Sequence, residues 1–223
     1  MTKKIKTAGP EAPLDCPLCP RLVSFRNDLS AEHPDWFNAP VPSFGDPSAE
    51  LLIVGLAPGK TGANRTGRPF TGDWAGDLLY GTIHEFGLSK GAYGARPDDG
   101  LQLTRTMITN AVRCVPPENK PVGAEINACR PYLIERLKSL PQLKAIITLG
   151  KISHDSTLRA LGLKISQHTF AHAAEFDLKE TNLGRPVRLI SSYHCSRYNT
   201  NTGRLTPDMF RDVFRKARAV IDA

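Results

Sequence analysis

Five cysteines are the first residues of the sequence whose spacing has chemical meaning. Cys16 and Cys19 form C-x2-C, Cys114 and Cys129 form C-x14-C, and Cys195 stands apart beside His194. Four plus one is the arithmetic of a tetrathiolate metal site and one spare thiol. Four thiolates suit zinc and also an iron–sulfur cluster. Zinc sites usually use two compact pairs, so the open spacing of the second pair tilts the reading toward the cluster and leaves zinc open.

A second group of residues lies in GLAPGKTGANRTGRPFTGD, Gly55 to Asp73, directly after the apolar run ELLIV. A glycine-rich loop after a strand usually receives an anion. Gly59-Lys60-Thr61 resembles the end of a triphosphate loop, but that loop needs four residues between its glycines. Only Leu56, Ala57 and Pro58 separate Gly55 from Gly59. Pro58 has no N–H to offer a phosphate, and GANRTGRP is too rich in glycine and proline to open a helix. No nucleotide triphosphate is expected. The loop ends in Arg68-Pro69-Phe70-Thr71-Gly72-Asp73. Gly67, Pro69 and Gly72 shape the backbone to present Phe70, and an aromatic platform there suits an extruded base. Asp73 stands where a helix N-cap belongs. A capping carboxylate still keeps one oxygen edge for a cleft.

Two further positions have the right chemistry. Asn110 ends an apolar run in ITNAVRC. Its amide carries both a donor and an acceptor, enough to read a base edge, although a strand-end asparagine is more often a turn residue. His194 opens SYHCSRYNTNTGRLTP. This polar loop, with Ser196, Arg197, Tyr198 and Arg204, fits a nucleic-acid backbone better than a core. The other five histidines have no partner motif.

The elements that must position these residues follow from apolar patterning. Four short β-branched runs, near 50–56, 106–112, 143–150 and 187–193, read as strands buried on both faces. Helical spacing runs from Trp74 to Phe86, through GAEINACRPYLIERLKSL with Pro131 starting its main run, through KISHDSTLRALG, and through the last eighteen residues, with Thr206 as N-cap and Pro207 in the first turn. One short helix is expected near RLVSFRNDLS in an otherwise irregular segment 16–48. Alternating strands and helices imply a mostly parallel sheet covered on both faces. Sites in such sheets gather at the carboxyl ends of the strands, where the loops after Val54, Thr109 and Ile190 lie.

Length sets a single domain: 223 residues fit one core. Residues 1–15 are expected as a loose basic leader and 16–223 as the domain. A net charge of +7 suits an anionic partner such as nucleic acid. No apolar run approaches a membrane span, and MTKKIKTAGPEAPLDC lacks the apolar middle of a secretion signal. A cytoplasmic monomer is expected, and its cysteines are then not disulfides.

Taken together, these stretches resemble the uracil-DNA glycosylase superfamily, and within it the type-5 iron–sulfur group. The signatures are GLAPGKTGANRTGRPFTGD, NAVRCVPPENKP with Cys129 downstream, SYHCSRYNTNTGRLTP and CPLCPRLV, spanning residues 16 to about 210. The resemblance implies a three-layer α/β/α sandwich around a four-stranded, mostly parallel sheet. It implies a structural 4Fe-4S cluster on Cys16, Cys19, Cys114 and Cys129. The implied reaction is hydrolysis of the bond between a damaged base and deoxyribose in DNA. Phe70 would stack on the flipped base beside the backbone of Gly55, Leu56 and Ala57. Asn110 would bond the base edge and His194 would donate to the departing base. Asp73 would steady the sugar cation or position the attacking water. Ser196, Arg197, Tyr198 and Arg204 would contact DNA, with Arg197 or Tyr198 as the wedge filling the vacated stack.

The sequence departs from the superfamily pattern in three places. Ala57 stands near where many members place Asp or Asn, which leaves the carboxylate role to Asp73. The usual His-Pro-Ser reads His194-Cys195-Ser196, and losing the proline should leave the loop freer. No tyrosine stands in GLAPGKTGANRTG to exclude thymine-sized bases, so the resemblance extends to hypoxanthine and etheno-adducts as well as uracil. Two competing readings are a non-catalytic DNA-binding iron–sulfur protein and a lyase using Lys60 as a Schiff-base nucleophile.

Overall fold

The four apolar runs become the four inner strands of one sheet because alternate residues have apolar partners on opposite faces. Leu51 and Ile53 pack with Leu79, Ile83, Phe210 and Phe214 on one side. Leu52 and Val54 pack with Leu133, Leu137 and Leu158 on the other. This is the three-layer α/β/α arrangement expected. The computed structural model describes residues 9–223, so residues 1–8 of the expected leader lie outside the described residues.

In chain order the elements are α1 (Pro20–Glu32), β1 (Phe44–Gly45), β2 (Leu51–Gly55), α2 (Ala63–Thr66), α3 (Trp74–Glu85), β3 (Ser89–Lys90), β4 (Gln102–Leu103), β5 (Thr106–Asn110), α4 (Gly123–Lys138), β6 (Ala145–Leu149), α5 (Lys151–Ala160), β7 (Glu175–Leu178), β8 (Val187–Ser192), α6 (Arg197–Asn201) and α7 (Pro207–Ile221). The main sheet has six strands in the order β1-β5-β2-β6-β8-β7, not four. The inner four are mutually parallel, in register at Leu51↔Thr106, Leu51↔Ala145 and Ala145↔Arg188. The two extra strands are short antiparallel edges. Strands β3 and β4 form a separate hairpin.

Local chemistry explains the helix ends. The Thr206 hydroxyl accepts from Met209 N, and Pro207 opens α7. The buried positions Phe210, Val213, Phe214, Ala217 and Ile221 make its apolar stripe. Helix α4 begins at Gly123, where Glu125 bonds back to Val122 N at 2.8 Å, and runs through Pro131 instead of starting there. Burial of Cys129, Tyr132, Leu133 and Leu137 on its inner face offsets the hydrogen bond that the proline removes. GANRTGRP, expected to hold no helix, forms the single turn α2.

The N-terminal segment is tied down from residue 10 onward. Glu11 accepts from Ser43 N at 3.1 Å, and its carboxylate pairs with the buried Arg113 at 3.0 Å and with Arg136. Arg113 also donates to Pro10 O at 3.0 Å. The part of the expected loose leader that is described is therefore anchored. Among the described residues, no helix is long and apolar enough to cross a membrane.

Candidate active site

Strands β2 and β5 end side by side, with Gly55 opposite Asn110. Two further bonds continue the ladder beyond them, Ala111 N to Gly55 O at 3.0 Å and Val112 N to Leu56 O at 2.9 Å. The loops leaving both strands therefore start in fixed positions. A cavity of about 420 Å³ opens there, at the carboxyl ends of β2, β5 and β8. Leu56, Ala57, Phe70, Asp73, Asn110, His194, Ser196 and Arg197 all line it.

Gly55 lies behind this cavity and does not line it. A Cβ there would fall 2.3 Å from Asn110 Oδ1 and 2.7 Å from the Phe70 ring. The glycine thus lets those two side chains meet. Asn110 is 2% exposed, and its amide oxygen has no hydrogen-bond partner. An orphaned buried acceptor is costly, and here it belongs to a residue that lines the cavity. Phe70 is buried with φ of +55°, a conformation that favours glycine. Its ring lies 5.9 Å from that of His194, inclined by 29°.

Asp73 caps α3, its Oδ1 accepting from Gly76 N at 3.3 Å. Its Oδ2 faces Gly62, where a Cβ would come within 2.3 Å. Burial raises the pKa of Asp73, opposed by the N–H groups of Gly76 and Ala75. His194 moves in the complementary sense. Burial pushes its pKa down to about 4, so near neutral pH it is an uncharged imidazole with one N–H to donate.

The His194-Cys195-Ser196 turn is not left loose by its missing proline. Cys195 is fully buried, and its thiol donates to Ala75 O in the first turn of α3 at 3.6 Å. Asn199 Nδ2 donates to His194 O at 2.8 Å, and the Ser196 hydroxyl caps α6. The thiol bond ties the turn bearing His194 to the helix start bearing Asp73. Asn64, in α2 within the Gly55–Asp73 loop, is buried and donates to Asn38 Oδ1 at 2.9 Å.

At the mouth, Arg197 lies over the Trp74 ring at 5.2 Å, and Trp74 Nε1 donates to Thr200 Oγ1 at 3.1 Å. Tyr198 is 71% exposed, while Arg204 sits over Tyr193 at 4.6 Å. Neither lines the cavity. Lys60 does, with Nζ 3.4 Å from Glu32. Trp74 and Asn119 are among the lining residues that escaped sequence reasoning. Trp74 passes for part of an apolar helix face. Asn119 follows Glu118 in a turn where both have positive φ, 54° and 57°, and asparagine's tolerance of that region was its only signal.

The four cysteines line a second, mainly apolar pocket between α1, the loop after β5 and α4. Arg26 Nη1 donates to Cys114 Sγ at 3.2 Å and Arg113 N to Cys129 Sγ at 3.3 Å. Cys16 Sγ lies 3.8 Å from the Tyr132 hydroxyl. Burial pushes the thiols of Cys19 and Cys129 up to about 11 and about 12. Among the described residues no three acidic, histidine or cysteine side chains stand close enough to hold one ion. Four thiols facing one pocket and met by N–H donors are a donor set that an iron–sulfur group would accept.

Comparison with known proteins gives the same direction. The family model described as the uracil DNA glycosylase superfamily matches residues 42–218. A type-5 uracil-DNA glycosylase of Thermus thermophilus is 45% identical, covering 91% of this chain and 92% of the relative. A type-5 uracil-DNA glycosylase of Pyrobaculum aerophilum is 38% identical over 92% of this chain and 89% of its own. A type-4 uracil-DNA glycosylase of Sulfurisphaera tokodaii is 32% identical over 78% and 72%.

Proposed function

The chain belongs to the uracil DNA glycosylase superfamily, and on that premise we propose that it hydrolyses the N-glycosidic bond of uracil in DNA with Phe70, Asn110, Asp73 and His194. The observation that carries this assignment is their convergence on one cavity at the strand ends. A flipped base stacks on Phe70. The unpartnered Asn110 oxygen accepts from the base N–H. As the bond from C1′ to the base breaks, its electron pair goes to the base, and negative charge gathers on a ring carbonyl oxygen. The neutral His194 N–H donates to that oxygen. Positive charge develops on the sugar, faced by the Asp73 carboxylate. A water oxygen bonds to C1′, its proton passes to Asp73, and the base leaves as an anion that solvent protonates. Ala57 puts no carboxylate in the cavity, so Asp73 alone of its lining residues supplies one.

The absence of an excluding tyrosine in the Gly55–Gly67 loop, and a cavity of about 420 Å³, support acceptance of hypoxanthine and etheno-adducts alongside uracil. Ser196, Arg197 and Arg204 contact DNA phosphates around α6. The exposed Tyr198 serves as the wedge in the vacated stack. One chain holds the whole cavity, and the enzyme acts as a cytoplasmic monomer. Cys16, Cys19, Cys114 and Cys129 hold a 4Fe-4S cluster. When bound, that group would cross-link the segment leading into α1, the loop after Asn110 and α4. Lys60, turned toward Glu32, is not a Schiff-base nucleophile.

Duplexes carrying one uracil or one hypoxanthine, incubated with the protein and then treated with alkali, should be cleaved at the modified position. Tight binding to uracil-containing DNA without base release would instead make the protein a non-catalytic binder.

A further inference from the structure

Phe70 stands in a conformation that a phenylalanine does not choose, so something must hold it there. The neighbouring contacts come from two aromatic residues and one buried ion pair. Arg68, two residues earlier, is 5% exposed and forms a bidentate pair with the equally buried Asp99, at 2.8 and 2.6 Å. Its Nε donates to Thr71 Oγ1 at 2.7 Å. The guanidinium also lies 5.0 to 5.8 Å from the centroids of Phe44, Tyr80 and Tyr93. Asp99 accepts two further bonds, from Gly94 N at 2.9 Å and Leu101 N at 3.0 Å. All its bonds apart from those to Arg68 are thus to the loop joining β3 to β4. The Tyr93 hydroxyl, from that same loop, donates to Phe70 O at 3.3 Å and accepts from Gly72 N at 3.3 Å. Tyr80 OH donates to Pro69 O at 2.6 Å.

We propose that Asp99, acting through Arg68, and Tyr93 are positioning residues that fix the ring of Phe70 beneath the flipped base. This rests on the reading that Phe70 carries the base. Neither Asp99 nor Tyr93 lines the cavity, so neither touches substrate. A buried ion pair is weak evidence for added stability. What this one does is fix register: a planar fork on a carboxylate allows one orientation of the Arg68 side chain, and Thr71 and the three rings meet that same guanidinium. The backbone on either side of Phe70 is thereby tied to a hairpin loop outside the cavity.

The test measures single-turnover uracil release and affinity for an abasic duplex in Asp99→Asn, Tyr93→Phe, Phe70→Ala and the double variant Phe70→Ala/Asp99→Asn. A platform displaced by about an ångström slows reaction by up to about a hundredfold. We expect Asp99→Asn to slow release by about ten- to a hundredfold and Tyr93→Phe less, with abasic-duplex affinity unchanged. In the Phe70→Ala background Asp99→Asn should cost under about twofold, because the group it positions is gone. A merely structural role would lower the rate equally in both backgrounds, and that result overturns the inference. So does release by Tyr93→Phe at the parental rate, a variant that loses one hydroxyl and keeps the packing if Asp99→Asn does not fold. If Phe70→Ala alone releases uracil at the parental rate, the base-platform reading itself fails.

Discussion

Replacing Asp73 by asparagine separates the cap it provides for α3 from the catalytic role proposed for it. As an N-cap, asparagine is equal to aspartate, and a lost cap would cost about 1 kcal/mol. Its side-chain oxygen can keep the bond from Gly76 N, so α3 should start as before. The charge is what disappears. A carboxylate about 5 Å from a forming sugar cation, at an effective dielectric constant of about 20, contributes about 3 kcal/mol. That corresponds to about two-hundredfold in rate. The stability effect has the opposite sign. Burial raises the folded-state pKa of Asp73, so between the ordinary and the raised value the folded chain binds more protons than the unfolded one. Stability then falls as pH rises through that window and stays lower at neutral pH. The neutral amide escapes this cost, and Asp73→Asn should melt at the same temperature as the parent or higher. The assay is single-turnover release from a duplex with one uracil, enzyme in excess, read by alkaline cleavage, with abasic-duplex affinity and melting measured beside it. Release at the parental rate would remove the carboxylate from the mechanism. A slow variant that also melts lower would return Asp73 to a purely capping role.

Three further outcomes follow from the same geometry. With His194 held neutral by a pKa near 4, single-turnover rates should not decline as pH rises from about 6 to 8. They should fall only on the acid side, as Asp73 protonates above the ordinary carboxylate value. A rate that declines as pH rises through about 6.5, the ordinary histidine value, would mean that an imidazolium does the work. Cys195→Ala breaks the thiol bond to Ala75 and opens a small void. It should lower the melting temperature by about 2–6 °C and slow release severalfold, while a stable, slow protein or an unstable, fully active one would each contradict the tie between the two loops. Cys114→Ser should bleach the broad visible absorption expected of the purified protein and lower its soluble yield. One zinc ion per colourless parental chain would refute the cluster.

The inner sheet was legible because β2, β5 and β6 are buried at every position, which writes a continuous apolar run into the sequence. The edge strands carry no such mark. Strand β1 has two residues, and β7 alternates exposed positions with the half-buried Phe176 and the buried Leu178, held by Arg188 reaching Glu175 and Asp177 across the pair. Their existence is decided by neighbours far along the chain. Pro131 misled for a related reason, since a local rule against proline gave way to the packing of α4 on the core. That Asp73, Asn110 and His194 would share one cavity could be read from the sequence because each stands at the end of a readable element. The places of Trp74 and Asn119 on the cavity could not, because they are fixed only when α3, the loop after β5 and α6 come together.

Cys195 shows most directly what sequence pattern leaves out. Read as a lost proline, it predicts a looser turn. In the fold, the same side chain is fully buried and bonded to the first turn of α3, a restraint that proline, with no side-chain donor, does not make. The consequence reaches the chemistry. The cavity collects features that cost free energy in the empty enzyme: an orphaned acceptor on Asn110, a desolvated carboxylate at Asp73, and a phenylalanine at positive φ. In the proposed reaction each becomes useful when a base is present, the first as a bond to its edge, the second as a counter-charge to the sugar, the third as a platform. Such a site persists only if its walls are held from behind, by Cys195 between the loops bearing His194 and Asp73 and by Arg68–Asp99 beside Phe70. Residue types at strand ends can announce the chemistry. The bonds that hold them in place join the 66–76 loop to segments up to 120 residues away in sequence, and these only folding reveals.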